Sequence, residues 1–259
     1  MIGHWSSHQI AKTIGAVIHG VDTSFAKVTT DSRADCRDSL FVALKGASFD
    51  GHHFISQALE QGAVAVMAEQ PVKSGNAPVA QLIVSDTTTG LGQLGAENRR
   101  RFGGKVVAVT GSSGKTTVKE MVAAILWQTG KVCKTQGNLN NHFGVPLSLL
   151  TLEESQVGAV FELGASGLNE IAYTAGLVNP DVAILNNAQA AHIEGFGSLD
   201  NVMRAKGEII QALSDQGIAV LNADDQFFKD WQAMAGKRQI VSFGLSDTAQ
   251  VTARDIRQN

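Results

Sequence analysis

The chain has 259 residues, of which 44% are hydrophobic and 17% charged, with a formal net charge of −3 at pH 7. This is an ordinary globular composition, long enough for one large or two modest domains with a buried core. The absence of a basic surplus argues against a nucleic-acid partner, and no stretch approaches the ~18 apolar residues of a membrane span.

The first residues carry no predicted signal peptide, because His4, His8 and Lys12 interrupt any apolar run. The two cysteines, Cys36 and Cys133, fall in no metal-ligand pattern, which argues against a structural zinc site. Sparse cysteine use fits a reducing compartment, and we predict a cytoplasmic protein.

Apolar periodicity and turn residues predict a small mixed α/β domain at the start of the chain. Helices are predicted over residues 7–14, 52–61 and 87–101, strands over 40–44, 63–67 and 81–84, and a loop over 71–78. Gly103 and Gly104 then break the last helix. We place a domain boundary there, which gives domains 1–103 and 104–259.

The second domain alternates apolar strands with helices. Strands are predicted over residues 106–109, 159–163, 182–185, 218–221 and 239–243, and helices over 115–128, 168–175, 200–213 and 224–235. This pattern predicts an α/β fold with a P-loop-type, mostly parallel sheet covered by helices on both faces. Ligands of such sheets bind beyond the carboxyl ends of the strands, so the residues that follow the strands are the candidates.

The segment after the first of these strands has the composition of a phosphate-binding loop. It reads Gly111-Ser112-Ser113-Gly114-Lys115-Thr116-Thr117. Glycines let backbone N–H groups converge on phosphate oxygens, and the helix N-terminus adds positive potential. Lys115 would reach the outer phosphates and the Thr116 hydroxyl would bind Mg²⁺. Val109 stands where the full pattern has its first glycine, so the match is to a shortened form; the alternative is a flexible turn before an ordinary helix.

Two further candidates follow later strands. Glu162 ends an apolar strand, where a carboxylate is a natural Mg²⁺ ligand, although it could simply face water. His192 follows the next strand and could ligate a metal through a ring nitrogen, although a lone loop histidine is more often an ordinary polar residue.

Lys206 falls within an apolar helical stripe formed with Val202, Ile209 and Leu213. Spacing alone favours a lysine whose stem covers the core and whose amine reaches water. The other hypothesis is a desolvated amine that reacts with carbon dioxide, giving a carbamate ligand for a second Mg²⁺.

Motifs over essentially the whole chain resemble those of the Mur ligases of peptidoglycan synthesis. They are Thr30-Asp31-Ser32-Arg33, residues 40–46, Phe49-Asp50-Gly51-His52, residues 110–117, Gly137-Asn138-Leu139-Asn140-Asn141, and residues 144–147, 162–165, 191–198, 205–208 and 221–225. The phosphate loop is shared across the superfamily, whereas segments 137–141 and 191–198 resemble the last ligase of the series.

The resemblance implies an ATP-dependent amide ligase that joins D-alanyl-D-alanine to UDP-N-acetylmuramoyl tripeptide through an acyl phosphate. It implies ATP and Mg²⁺ as cofactors and a monomeric enzyme. The catalytic residues would be Lys115, Glu162, His192 and Lys206, and the metal ligands Thr116, Glu162, His192 and Lys206 as a carbamate. The nucleotide would contact Gly111, Ser112, Ser113, Gly114, Lys115, Thr116, Thr117, Asn222 and Asp225. The substrates would contact Ser32, Arg33, Lys45, Asp50, Gly51, His52, Asn138, Asn140 and Asn141.

Family members carry a third, carboxy-terminal domain that closes over ATP. We expect this chain to lack it, with residues 251–259 as the start of an unfinished extension, and therefore to bind substrate without turning over alone. Three alternatives stay open: a sister ligase that adds another amino acid, a non-catalytic nucleotide-binding module, and a P-loop kinase or GTPase. The kinase or GTPase hypothesis does not explain the separate first domain or the position of Lys206 within an apolar stripe.

Overall fold

The computed structural model describes residues 1–46, 49–72, 79–190 and 193–257. Tertiary contacts divide the chain into two compact units. The first is Met1–Phe102 with Leu149–Glu153, and the second is Gly103–Ser148 with Glu154–Asn259. Which ligand each unit binds stays a prediction. Most of the predicted loop 71–78 lies outside the described residues.

The first unit contains a five-stranded mixed sheet. Its strands are β1 (Val17–His19), β2 (Lys27–Thr29), β3 (Ser39–Val42), β4 (Ala65–Ala68) and β5 (Ala80–Ile83). Their order is β1-β5-β4-β3-β2. β1 pairs antiparallel with β5, and the other neighbours pair in parallel.

Helices cover this sheet. They are α1 (Ser7–Ile14), α2 (Ile55–Glu60), which continues a 3₁₀ turn over Gly51–Phe54, and α3 (Thr87–Arg101). The predicted helices 7–14 and 87–101 are confirmed. They could be predicted because their ends carry strong local signals. Ser6 and Asp86 accept hydrogen bonds at the two N-termini, and Gly15 ends α1 in the left-handed conformation with φ of 70°.

The second unit contains a seven-stranded sheet in which every neighbouring pair is parallel. The strands are β6 (Lys105–Thr110), β7 (Val132–Lys134), β8 (Gly158–Glu162), β9 (Val182–Leu185), β10 (Ile218–Asn222), β11 (Gln239–Gly244) and β12 (Val251–Thr252). Their order is β12-β11-β10-β9-β6-β8-β7. The chain therefore changes direction across the sheet at β6, and such a switch point opens a crevice at the carboxyl ends of the strands.

The helices of this unit are α4 (Lys115–Trp127), α5 (Gly144–Leu149), α6 (Glu170–Val178), α7 (Ile193–Phe196), α8 (Leu199–Gln211) and α9 (Phe228–Ala235). Val107 and Val109 of β6 pack with α4, while α6 and α8 also contact β6. Val106 and Ala108, which point to the opposite face, are buried as well. The predicted α/β fold, a small mixed unit followed by a parallel sheet with helices on both faces, is confirmed.

A membrane-crossing helix was not expected from the sequence. Within the described ranges, no helix combines the length and the apolar composition that such a crossing requires.

Candidate active site

The loop from β6 to α4 has the backbone shape that the glycine pattern predicted. Gly114 has a φ of 74° and directly precedes Lys115, the first residue of α4. A side chain is disfavoured there by the left-handed conformation. It is also disfavoured by space, because a Cβ atom would lie 2.6 Å from Asn186 Nδ2.

Residues that follow β9 hold this loop from one side. Asn186 Nδ2 donates to the Ser113 carbonyl at 2.8 Å. The Ser113 N–H donates to Asn187 Oδ1 at 3.0 Å, and the Gln189 N–H donates to Ser112 Oγ at 2.9 Å. The sequence did not predict these supporting roles, although a polar pair directly after a buried strand was a visible signal.

The structure brings together predicted residues from three separate segments. Thr116 Oγ1 donates to Glu162 Oε2 at 2.8 Å, and Asn140 Nδ2 donates to Glu162 Oε1 at 2.9 Å. Glu162 is only 3% exposed. Lys115 Nζ donates to the Gly111 carbonyl at 2.9 Å, so its ammonium group folds back over the loop.

Gly164 allows Asn140 to reach this position. The Gly164 N–H donates to the Asn140 carbonyl at 2.9 Å. A Cβ atom on Gly164 would lie 3.1 Å from Asn140 Cγ, tighter than most side chains tolerate. The Asn141 carboxamide has a different task, since its Oδ1 accepts from the Gly144 N–H at 2.8 Å at the start of α5.

A cavity of about 270 Å³ opens beside the loop. Its lining includes Lys115, Asn140, Asn141, Glu170 and Lys206, together with residues 111–112 and 164–166. Two cationic side chains and one carboxylate therefore face the same polar space, which suits an anionic ligand and a cation together.

Lys206 is buried in this unit, at 3% exposure, and its Nζ lies 5.5 Å from the centre of the Phe196 ring. Burial, followed by the positive charge of Lys115, lowers the pKa of Lys206 to about 8, against the opposing effect of Glu170 and Glu208. The amine therefore does not extend into open water, and its neutral form, which reacts with carbon dioxide, is accessible near pH 8. The carbamate itself stays a prediction.

Glu208, two residues along α8, is a functional candidate that the sequence analysis missed. Its carboxylate accepts from the Asn169 N–H at 2.7 Å and the Ala172 N–H at 2.9 Å, at the N-terminus of α6. Glu170, the first residue of α6, accepts from the Ser166 N–H at 3.1 Å. The two carboxylates thus fix the segment that forms one wall of the cavity.

Asn222 and Asp225, predicted to lie towards the nucleotide, contact the backbone after β9. Asn222 Nδ2 donates to the Asn186 carbonyl at 3.0 Å, and Asp225 Oδ2 accepts from the Ala188 N–H at 2.9 Å. Both therefore support the segment that holds the phosphate loop, and a direct contact with nucleotide stays a prediction. Thr117 and Asn138 are exposed, and their roles also stay predictions.

Oxygen donors dominate the candidate metal site. Within the described ranges, no group of three or more His, Cys, Asp and Glu side chains is positioned to hold a metal ion. Thr116 Oγ1 and the Glu162 carboxylate lie together beside the phosphate loop, and hydroxyl and carboxylate oxygens suit Mg²⁺. His192, the predicted nitrogen ligand, lies outside the described residues.

A second cavity, of about 470 Å³, lies in the first unit. The predicted substrate residues Ser32 and Arg33 line it, together with Phe49 and Phe54. The two exposed aromatic rings stack with centroids 5.4 Å apart and planes 10° apart. Arg33 Nε lies 2.9 Å from Asp31 Oδ1, and this pair keeps the pKa of the Asp31 carboxyl below its usual value.

The other predicted substrate residues of this unit form a turn of their own. The backbones of Lys45 and Asp50 form an isolated antiparallel β-bridge. His52 Nδ1 lies 2.6 Å from Asp50 Oδ1. The Glu69 N–H donates to His52 Nε2 at 3.0 Å, so Nδ1 carries the proton. A Cβ atom on Gly51 would lie 2.7 Å from the Leu44 carbonyl oxygen. These contacts are internal, and a contact of the turn with substrate stays a prediction.

Two family models match the chain. The model described as the Mur ligase middle domain matches residues 109–259, and that described as the Mur ligase family catalytic domain matches residues 24–99. The first match covers more than half of the chain. This protein belongs to the Mur ligase family. The family resemblance seen in the motifs is thus confirmed.

Two curated relatives of this Mur ligase chain share the name UDP-N-acetylmuramoyl-tripeptide–D-alanyl-D-alanine ligase. The protein of Escherichia coli (strain K12) is 46% identical over 235 residues, which are 91% of this chain and 51% of the relative. The protein of Haemophilus influenzae is 44% identical over 93% of this chain and 54% of its own length. The chain therefore spans about half the length of the curated relatives it matches.

Solved Mur ligase structures agree with this fold. MurF from Acinetobacter baumannii matches with a TM-score of 0.91 and 38% identity, over 98% of this chain and 56% of that one. The MurF ligase of Thermotoga maritima, solved in complex with ADP, matches with a TM-score of 0.77 and 37% identity, over 85% of this chain and 50% of that one.

Proposed function

We propose that this chain supplies the UDP-substrate-binding and ATP-binding domains of a ligase that joins D-alanyl-D-alanine to UDP-N-acetylmuramoyl tripeptide. The observation that carries the proposal is the buried Glu162 carboxylate, which joins Thr116 of the phosphate loop to Asn140. The names of the relatives supply the substrates.

In the proposed reaction, the tripeptide carboxylate attacks the γ-phosphorus of ATP, and ADP leaves from the acyl phosphate so formed. The amine of D-alanyl-D-alanine then attacks the acyl carbon, loses a proton, and displaces inorganic phosphate as the amide bond forms. Neither step needs a nucleophile from the protein. The task of the chain is to position the reactants and to stabilise their negative charge.

Residues of the second unit suit this task. The loop N–H groups and Lys115 would hold the phosphates, once the Lys115 ammonium leaves the Gly111 carbonyl. Thr116, Glu162 and, by family resemblance, His192 and carbamylated Lys206 would hold Mg²⁺. When bound, Mg²⁺ would supply positive charge that screens the repulsion between the anionic reactants.

The cavity of the first unit suits the uridine diphosphate portion of the substrate. Phe49 and Phe54 present apolar faces on which a base can stack. Arg33 offers a planar guanidinium group for the diphosphate, and Ser32 a hydroxyl group. Arg33 would exchange its ion pair with Asp31 for the ligand, and an exposed pair of this kind is weak enough to allow it.

Calorimetric titration of the chain with UDP-N-acetylmuramoyl tripeptide, the corresponding dipeptide and UDP tests the proposal. A clear preference for the tripeptide is expected. Tighter binding of the dipeptide would favour the sister ligase that adds another amino acid. Binding of ATP without binding of any uridine ligand would refute the role of the first unit and favour a non-catalytic nucleotide-binding module.

The phosphate loop has its own test. Lys115→Ala is expected to abolish measurable binding of Mg²⁺·ATP, because it removes the cation that would meet the outer phosphates. Lys105→Ala is the matched control, since Lys105 is an exposed lysine that pairs with Asp181. Unchanged ATP affinity in Lys115→Ala would refute the phosphate-loop assignment.

A further inference from the structure

Lys119 is a buried cation with no part in the proposed reaction. It lies one turn after Lys115 on α4 and is 2% exposed. Its Nζ donates to the Thr135 carbonyl at 2.9 Å and lies 3.2 Å from Glu120 Oε1. An apolar side chain would fill this volume without the desolvation cost of an ammonium group. The charge therefore indicates that the hydrogen bond to Thr135 matters.

Thr135 connects this lysine to the candidate metal site. It follows β7 and is 1% exposed. Its N–H donates to the Val160 carbonyl at 3.1 Å, and its Oγ1 accepts from the Glu162 N–H at 3.0 Å. A continuous chain of hydrogen bonds thus runs from the second turn of α4, through Thr135, to the backbone of Glu162.

The same threonine begins the segment that carries Asn140. Glu162 is therefore fixed through its backbone by Thr135 and through its side chain by Asn140 and Thr116. A shift of Thr135 would move the backbone of Glu162 and the start of the segment that leads to Asn140. The buried ammonium of Lys119 opposes such a shift, because a charged donor makes a stronger hydrogen bond than a neutral one.

We propose that Lys119 and Thr135 are positioning residues that hold Glu162 and Asn140 in the arrangement that receives a metal-bound nucleotide. The inference rests on the proposed function, since it assumes that this site binds metal and ATP. Within the described residues, neither Lys119 nor Thr135 lines the cavity beside the phosphate loop. Both act through Glu162, as outer partners of metal ligands do.

The probe is Mn²⁺·ATP, with affinity measured by calorimetry and the metal environment by electron paramagnetic resonance. Thr135→Val removes the hydroxyl group and keeps the shape, and it is expected to weaken Mn²⁺·ATP binding about 10- to 100-fold. Lys119→Met is expected to do the same. Thr135→Ser restores the acceptor and is expected to restore the affinity. Metal-free ATP should lose less, because Lys115 and the loop are unchanged.

Two matched controls separate position from substitution type. Thr129→Val removes an exposed hydroxyl group on the segment after α4 that donates to the Leu126 carbonyl at 2.7 Å. Lys134→Met removes the partly exposed lysine that also pairs with Glu120. Both controls are expected to keep the wild-type affinity for Mn²⁺·ATP.

The outcomes distinguish the inference from the proposed function. Wild-type affinity in Thr135→Val and Lys119→Met overturns the inference and leaves the proposed function standing. Equal loss for ATP with and without metal, with no rescue by Thr135→Ser, assigns both residues to general stability and also overturns it. A wild-type chain that does not bind Mn²⁺·ATP overturns the proposed function and the inference with it.

Discussion

Removal of the Glu208 carboxylate should destabilise the second unit by uncapping α6. Glu208 is 8% exposed and accepts from the N–H groups of Asn169 and Ala172. In the described structure, Asn169 itself makes no side-chain cap hydrogen bond. Glu208→Ala therefore leaves two N–H groups of a helix terminus without their acceptor and removes a negative charge from the positive end of the helix dipole.

The size of the effect follows from these contacts. A hydrogen bond to a charged group contributes roughly 1.5–3 kcal/mol, and the helix dipole adds about 0.3–1 kcal/mol. Asn169 and Ala172 are exposed, so water replaces part of each lost bond. We expect Glu208→Ala to lower the free energy of unfolding by about 2–3 kcal/mol. Glu208→Gln keeps one acceptor oxygen and should lose roughly half as much.

Urea denaturation gives the unfolding free energy, and amide hydrogen exchange at Ala172 reports on the cap itself. Trp231 is a suitable fluorophore for the second unit, since it is buried and its Nε1 donates to the Met203 carbonyl at 3.2 Å. Glu154→Ala, at an exposed position, is the control. A change under about 0.5 kcal/mol in Glu208→Ala, the range of an ordinary surface substitution, would refute the capping argument.

Two further substitutions test the loop and an ion pair. Gly114→Ala should lower the free energy of unfolding by about 1–2 kcal/mol because of the left-handed φ alone, and it should weaken ATP binding. Gly103→Ala is the control, because its added Cβ meets no neighbouring atom, and it should change neither quantity. Thermal melts measure the stability and calorimetry measures the ATP affinity. The hydrogen bonds of Arg100, followed by those of Arg101, lower the pKa of Glu97 from 4.5. The ionised Glu97 carboxylate should therefore stabilise the fold fully above pH 4.5, and this stabilisation should be lost as the pH falls through the lowered pKa of the folded state. The difference in stability between wild type and Glu97→Gln should then disappear in acid. A gap that stays constant down to pH 3 would contradict this.

Local sequence signals predicted the parts of the fold that local forces fix. The strand before Gly111 and the helix after it follow from a buried apolar run, a glycine loop and helical spacing. β1, β2 and β7 were missed because each has three residues, and β1 and β2 contain no buried residue. Such strands form through pairing with distant partners rather than through their own pattern. The helix predicted from residue 224 begins at Phe228, because Asp225 Oδ1 accepts from the Phe227 N–H and holds a turn.

The candidate site shows the same division. Lys115, Thr116 and Glu162 could be predicted as site residues from their residue types and from their positions after strands. Asn186 and Thr135 could not, because their roles arise from hydrogen bonds that span 73 and 27 residues of sequence. Lys206 lies between these cases. Its position in the apolar stripe was visible, but spacing alone favoured an amine in water, whereas burial, followed by the charge of Lys115, lowers its pKa in the folded unit.

In the candidate nucleotide site, Thr116 and Glu162, the proposed metal ligands, differ from Lys115, the proposed phosphate ligand, in how much each must rearrange to bind. Thr116 uses its proton to bond Glu162, which leaves the lone pairs of its oxygen free, and the carboxylate keeps lone pairs beyond the two already used. A cation could therefore bind these oxygens while both hydrogen bonds remain. Lys115, in contrast, must leave the Gly111 carbonyl before it meets a phosphate, at a net cost of about 0.5–1.5 kcal/mol. The larger rearrangement on nucleotide binding is thus expected at the lysine, while the metal side keeps the arrangement already present.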